Sequence, residues 1–440
     1  MSAAERPAEV ATHVKPCILM YSVLLSATGG AQYTMSLLAE ELARRGYRIV
    51  FVTRPPFDPS HRYARMLERA SIPLVLLRRL TESAFIRLMT VAGAVLLFVP
   101  MLARRRRSVR DAWVAARSVA ATAFARMEHW YIRRTLDAIV RRHRAGGRPT
   151  ILHIFGPAAL TPFLLGWARE SGVPSIYHEM GEADEAYVRT FAMTETVASI
   201  NRADRVVCLS PSVADTFREV FGYRGPIESI YAMVSDPGDA WVRGRKLGGR
   251  VTFGAIGRLV PHKQHNLLIR AIHALAAAGY DTGLVIAGSG PLRENLQRLA
   301  VDLGVADRVT FTGEFEDLAA VMAQFDVFVL PTSSESQCMP VTESMAYGKA
   351  VIVSRFGGIP DFVDDGVTGL LVPVGDFDGL VAAMKRLVDD APLRAEMGAR
   401  GRQRFLRDFS PAAVGDMTEQ LYVNLLRSNE AGSVAGQSAA

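Results

Sequence analysis

The strongest constraint in this sequence is a rhythm that runs twice. Short apolar runs of strand length alternate with stretches of helical period. PCILMYSV (16–23) reads as a strand, SATGGAQ as a turn, YTMSLLAEELARR as a helix ended by Gly46, and YRIVFVT as the next strand. Further strand-like runs fall at 72–77, 150–155, 174–178 and 205–209. A second cycle starts at Arg250, where VTFGAIGR, TGLVIAGSG, DRVTFTG, DVFVLP, KAVIVS and TGLLVPVGD read as strands with helices between most of them. This alternation is the pattern of parallel α/β sheets covered by helices. At 440 residues the chain is too long for one ordinary core. The expected organisation is a first α/β domain over 1–225, a linker over 226–249, a second α/β domain over 250–405, a helix over 406–427 and a disordered polar tail over 428–440. Ligands of such sheets sit beyond the carboxyl ends of the strands, so candidate residues are sought there.

One segment breaks the rhythm. From Arg78 to Arg148 there are 16 arginines, no lysine and four acids, a net +12. The whole chain carries +7, so everything else sums to −5. The basicity is local and reads as a surface facing something anionic. Within it, LMTVAGAVLLFVPMLA (88–103) holds 16 uncharged residues, fewer than the roughly 20 a spanning helix needs. Apolar and basic faces side by side fit an insertion near 81–145 lying on an anionic bilayer. The plainer reading is a buried helix with a solvated arginine face. A nucleic-acid partner is not expected, because no recognisable binding module accompanies the arginines.

Three cysteines, Cys17, Cys208 and Cys338, lie far apart without a CxxC pair, which fits a reducing compartment and argues against a cysteine zinc site. The first 16 residues carry charge and no apolar core, so no secretory signal is expected. These features point to a cytoplasmic location, peripheral to the inner face of the membrane.

Four strand ends carry the candidate chemistry. Gly29 and Gly30 precede the first helix, where backbone N–H groups and the helix dipole favour an anion. In GRLVPHK, Arg258 and Lys263 place two cations after the first strand of the second domain, suited to a diphosphate. AGSGP, from Ala287 to Pro291, lacks the third glycine of a dinucleotide fingerprint, and Gly288 reads as a turn residue packed near a nucleotide. In PTSSESQCMPVTESMAYGK, Glu335 falls in a loop and Glu343 eight positions later on a helix, where a carboxylate can hold two vicinal hydroxyls. Taken alone, Glu343 is a helix N-terminal acid of the ordinary stabilising kind.

Together these pieces, with GGIPDFVDDGVTGLLVPVGD (357–376), resemble the retaining, nucleotide-sugar-dependent glycosyltransferases of family 4. The resemblance is strongest over 250–405. It implies the GT-B fold, an α/β architecture of two Rossmann-like domains facing each other across a cleft, with a C-terminal helix that crosses back to the first domain. It implies a nucleotide-sugar donor, a glycan or glycolipid acceptor, and no metal or other cofactor. By the same resemblance Arg258 and Lys263 clamp the diphosphate, Glu335 orients the transferred sugar, and Glu343 binds the ribose. Gly29, Gly30 and Gly288 lie near the donor, and Ser336, Gln337, Cys338, Met339 and Pro340 offer backbone amides to it. His178, in SIYHEMGE, stands where such enzymes often have an active-site histidine, with His153 competing for the role. One departure is visible. The family's usual Glu-x-Phe-Gly is Glu335-Ser336-Gln337-Cys338 here, which leaves open a non-catalytic, partner-binding protein of the same fold.

Overall fold

The strand-like runs become strands. The computed structural model describes residues 14–22, 30–55, 58–77, 109–181, 198–239, 249–335 and 338–437. The apolar run 88–103, Gly29, Ser336 and Gln337 lie outside them. The first seven strands are β1 (Cys17–Tyr21), β2 (Arg48–Thr53), β3 (Leu74–Leu76), β4 (Thr150–Phe155), β5 (Ser175–His178), β6 (Arg205–Cys208) and β7 (Ile227–Ser229). They form one sheet in the order β3-β2-β1-β4-β5-β6-β7. The next six are β8 (Val251–Ile256), β9 (Thr282–Ala287), β10 (Val309–Gly313), β11 (Val327–Leu330), β12 (Ala350–Ser354) and β13 (Gly369–Val372). Their sheet runs β10-β9-β8-β11-β12-β13, with all pairings parallel. By contacts the chain divides into two compact units: unit 1 is Met1–Ala27 with Leu42–Ile176, and unit 2 is Thr28–Glu41 with Tyr177–Ala440.

In the second sheet, alternate side chains enter two separate cores. Val327 and Val329 of β11, and Ala350 and Ile352 of β12, pack into one. Phe328, Leu330, Val351 and Val353 pack into the other. Burial on both faces explains why these runs show no polar alternation. Gly254 of β8 has a packing reason: a Cβ there would fall 2.1 Å from the Phe325 ring. The strand order reverses between β8 and β11, so the loops leaving these two strands border a crevice at their carboxyl ends.

Unit 1 contains a long helix, α3 (Val109–Ala145), which follows α1 (Gly30–Arg44) and α2 (Arg62–Arg69) in the chain. Its Ile132, Leu136 and Val140 are buried at fourfold spacing. Buried Glu128 pairs with Arg54, and Asp137 accepts from the Trp167 indole at 2.8 Å. The carboxyl half of α3 is therefore built into unit 1, in keeping with the plainer reading of a buried helix with a solvated arginine face; residues 78–108 lie outside the described residues. Met127, Trp130 and Tyr131 stay exposed on it, with the Arg134 guanidinium 4.9 Å from the Trp130 ring.

Two boundaries also differ. Ile227–Ser229, inside the expected linker, is a strand paired with β6, too short for periodicity to reveal. The last helix spans Pro411–Gln437, through most of the stretch expected to be disordered, and Ser428 receives a bond from Arg205 at 3.1 Å. Ala, Glu, Ser and Gln there tolerate helix well enough once such a contact forms. Within unit 2, Asp361 ties distant segments together. Its carboxylate accepts from the Ser212 amide at 2.9 Å and hydroxyl at 3.0 Å, and its carbonyl from the Tyr231 hydroxyl at 3.0 Å.

Gly254→Ala is expected to destabilise the chain by about 1–3 kcal/mol through overpacking. Denaturant unfolding of G254A, and recovery in a G254A/F325L double variant, checks this.

Candidate active site

The crevice between β8 and β11 is assembled by backbone contacts. Gly257 donates to the Ala287 carbonyl at 2.9 Å, and Leu259 to that of Ser289 at 2.9 Å, so the loops after β8 and β9 are zipped together. Gly288 adopts φ +133, and a Cβ on it would lie 2.1 Å from the Gly257 carbonyl oxygen. Its glycine is explained by this loop-to-loop approach, without any nucleotide. The chain then makes a 3₁₀ turn at Pro261–Lys263 and passes Gln264 in the left-handed region at φ 52. A non-glycine residue there costs of order 1 kcal/mol, and such strain concentrates at functional sites. The His262 carbonyl accepts from the Ser333 amide at 2.8 Å and the Thr332 hydroxyl at 3.2 Å, fastening this turn to the loop after β11.

That fastening brings Lys263 and Glu335 into an ion pair, with side chains only 12% and 15% exposed. Glu335 is held from behind by Gly357, whose φ is 52 and whose Cβ would fall 2.2 Å from the Glu335 carbonyl oxygen. Gly357 is a site residue that sequence reasoning passed over, although it opens the quoted GGIPD run. Arg258 is exposed nearby in the chain and forms no ion pair among the described residues.

Helix α9 (Met339–Ala346; fourth to eighth are Thr161–Glu170, Pro211–Phe221, His265–Ala277, Arg293–Asp302 and Leu318–Met322) carries the other candidates. Cys338 precedes it with φ −77, and its side chain is 1% exposed in the core. Burial pushes its thiol pKa up. Its φ is one that any L-residue adopts. Of the amides expected from 336–340, Pro340 has none to offer, because its nitrogen carries no N–H. The amides of Cys338 and Met339 are donors, and Ser336 and Gln337 lie outside the described residues.

Met339 meets Gly30 at the start of α1. A Cβ on Gly30 would lie 2.6 Å from the Met339 sulfur, and Thr34 one turn on bonds the Met233 carbonyl at 3.1 Å. A cavity of about 50 Å³ joins Gly30 and Met339 to Met180 and Leu209. Glu343 lies in another cavity, of about 190 Å³, beside Glu316, Tyr347, Tyr33 and Ser235. The last two share a hydrogen bond of 2.6 Å.

His178 lines neither cavity. It is 3% exposed at the end of β5, and burial depresses its pKa to about 3. Its neighbour Glu179, fully buried, accepts from the Tyr177 hydroxyl at 2.9 Å and the Gly181 amide at 2.8 Å. His153 is 1% exposed within β4 and stacks on Phe155. His265, two residues after Lys263, is 2% exposed, and burial lowers its pKa to about 4. No motif in the chain singles it out.

Strand order 3-2-1-4-5-6 in the second sheet, with a cation–carboxylate pair at its switch point, defines a doubly wound α/β protein with a candidate ligand crevice there. Residues 28–236 match the family model described as Glycosyltransferase Family 4, and residues 243–404 that described as Glycosyl transferases group 1. The chain is 35% identical over 271 residues to the GDP-mannose-dependent alpha-(1-6)-phosphatidylinositol monomannoside mannosyltransferase of Mycolicibacterium smegmatis, covering 56% of this chain and 70% of that protein. It is 33% identical over 221 residues to the lipopolysaccharide core biosynthesis glycosyltransferase LpsE of Rhizobium meliloti, covering 50% of this chain and 64% of that one. The crystal structure of Anabaena HepE in complex with UDP superposes with a TM-score of 0.67 at 16% identity, over 93% of this chain and all of that one. The chain belongs to glycosyltransferase family 4, has the two-domain GT-B fold, and is a glycosyltransferase.

The buried histidines make a pH prediction. Both fold neutral, with pKa values of about 3 and about 4, whereas an unfolded histidine titrates near 6.5. Below pH 6.5 the unfolded chain binds protons that the folded chain refuses, so their contribution is full above pH 6.5 and is lost on acidification. Between pH 6 and 4 each is expected to remove on the order of 1 kcal/mol per pH unit, His265 less as the pH nears its folded value. Denaturant unfolding across this range should show a shallower slope in His265→Gln than in the parent chain.

Proposed function

We propose that this chain transfers a sugar from a nucleoside-diphosphate donor to a lipid-linked or polysaccharide acceptor, with retention at the anomeric carbon, at the cytoplasmic face of the membrane. The Lys263–Glu335 pair at the β8–β11 crevice carries the reading. Lys263 and Arg258 supply positive charge for the donor diphosphate, and Glu335 a carboxylate that accepts from sugar hydroxyls. As the bond from the anomeric carbon to the diphosphate breaks, negative charge grows on the leaving oxygen, where the two cations stabilise it. The acceptor oxygen bonds to the same face of that carbon, and its proton passes to the departing phosphate oxygen. With two side-chain cations in this role, no resident metal is invoked. Glu343, in a cavity with Tyr33 and Ser235, suits the ribose hydroxyls.

The relatives guide the choice of substrates. One uses GDP-mannose and a phosphatidylinositol mannoside by its name, and HepE was crystallised with UDP. An acceptor in a lipid surface also suits the exposed Met127, Trp130 and Tyr131 among the arginines of α3.

Nucleotide release from GDP-mannose and a panel of UDP- and ADP-sugars, with and without anionic vesicles, tests the reading. Release from one donor, unchanged by EDTA, is expected, with a product of the donor's own anomeric configuration by NMR. Lys263→Ala and Glu335→Gln should each lower turnover about 10²–10³-fold, the usual cost of removing one charge-stabilising group. Full turnover in both variants would sink the assigned roles, and an inverted product would sink retention.

A further inference from the structure

A second group of cations lies in unit 1, at the amino ends of its strands. A cavity of about 550 Å³ opens there. Arg48 begins β2, Arg148 stands two residues before β4, and Arg142 and His143 come from the last turn of α3; all four line the cavity above Val50 and Ile139. No carboxylate lines it among the described residues. Arg48 and Arg142 are exposed and form no ion pair among the described residues. Arg148 donates to the Lys15 carbonyl at 3.0 Å, and the Lys15 ammonium sits 4.7 Å from the ring of Tyr47, another lining residue.

Like charges gathered this way repel one another, and His143 registers it. Its pKa is lowered first by burial and then by Arg48, Arg142 and Arg148. The carboxyl end of α3 contributes a negative pole worth roughly half a charge, which offsets only a fraction of three guanidiniums. An oxyanion accepting paired N–H bonds from these planar groups would relieve the repulsion, and the Val50 and Ile139 floor suits a carbon chain beside it.

We propose that this cavity is a binding site for a phosphate ester, with no residue in common with the donor crevice. The ester is either a phospholipid head group in a bilayer or a free phosphorylated metabolite; the same guanidinium chemistry serves both. The inference stands apart from the transfer reaction proposed above.

The test uses the full chain, an Arg48→Gln/Arg142→Gln variant, and a charge-matched control, Arg270→Gln/Arg298→Gln. All four positions are exposed, and melting curves confirm that the variants fold. Titration calorimetry with glycerol 3-phosphate probes the free ester. Flotation with phosphatidylglycerol–phosphatidylcholine vesicles, against phosphatidylcholine alone, probes the head group. We expect binding in at least one arm, weakened at least tenfold in the cavity variant and unchanged in the control. Binding to glycerol 3-phosphate identifies a free ester, and binding to anionic vesicles alone identifies a head group. The proposal is overturned by absence of binding in both arms, by a cavity variant that binds like the parent, or by an equal loss in the control.

Discussion

The Lys263–Glu335 pair depends on backbones approaching closer than any Cβ allows. Gly288 lies against the Gly257 carbonyl, and Gly357 against that of Glu335, each at a distance a methyl group would occupy. The loops after β8, β9, β11 and β12 are drawn together by these contacts and by the shared His262 carbonyl. Two side chains 72 positions apart then meet in a pocket where both are mostly shielded from water. A charge pair of this kind is weak as a source of stability, because desolvation opposes the attraction. The fold holds it through the loops, and the pair does not hold the fold.

Much of the architecture was legible because the strands are buried on both faces. Runs such as VFVL and AVIV have no polar residue inside them, and Pro331 and Ser354 mark where they stop. Legibility failed where local pattern and tertiary context disagree. Ile227–Ser229 is a strand only because β6 stands beside it. The arginine-rich half of α3 looks like a surface element, yet Ile132, Leu136 and Val140 are inside, and that stripe is too narrow to dominate the composition.

The site shows the same division. Lys263 and Glu335 were readable as charges at strand ends, since strand order makes those ends a crevice. His178 was carried over from the resemblance, and the structure gives it a buried, neutral ring that lines neither of the two unit 2 cavities. His265 and Gly357 escaped notice because their setting depends on the neighbouring loop, which no single stretch of sequence contains.

Cys338 stands where the family's motif has a glycine. Its φ is negative, so the backbone there needs no glycine. Its side chain is directed into a core containing Val341 and Met345, so it anchors the start of α9 from below. The demanding glycine is Gly357, with positive φ and a carbonyl oxygen in its Cβ position. The carbonyl of Glu335 thus packs on a residue 22 positions downstream.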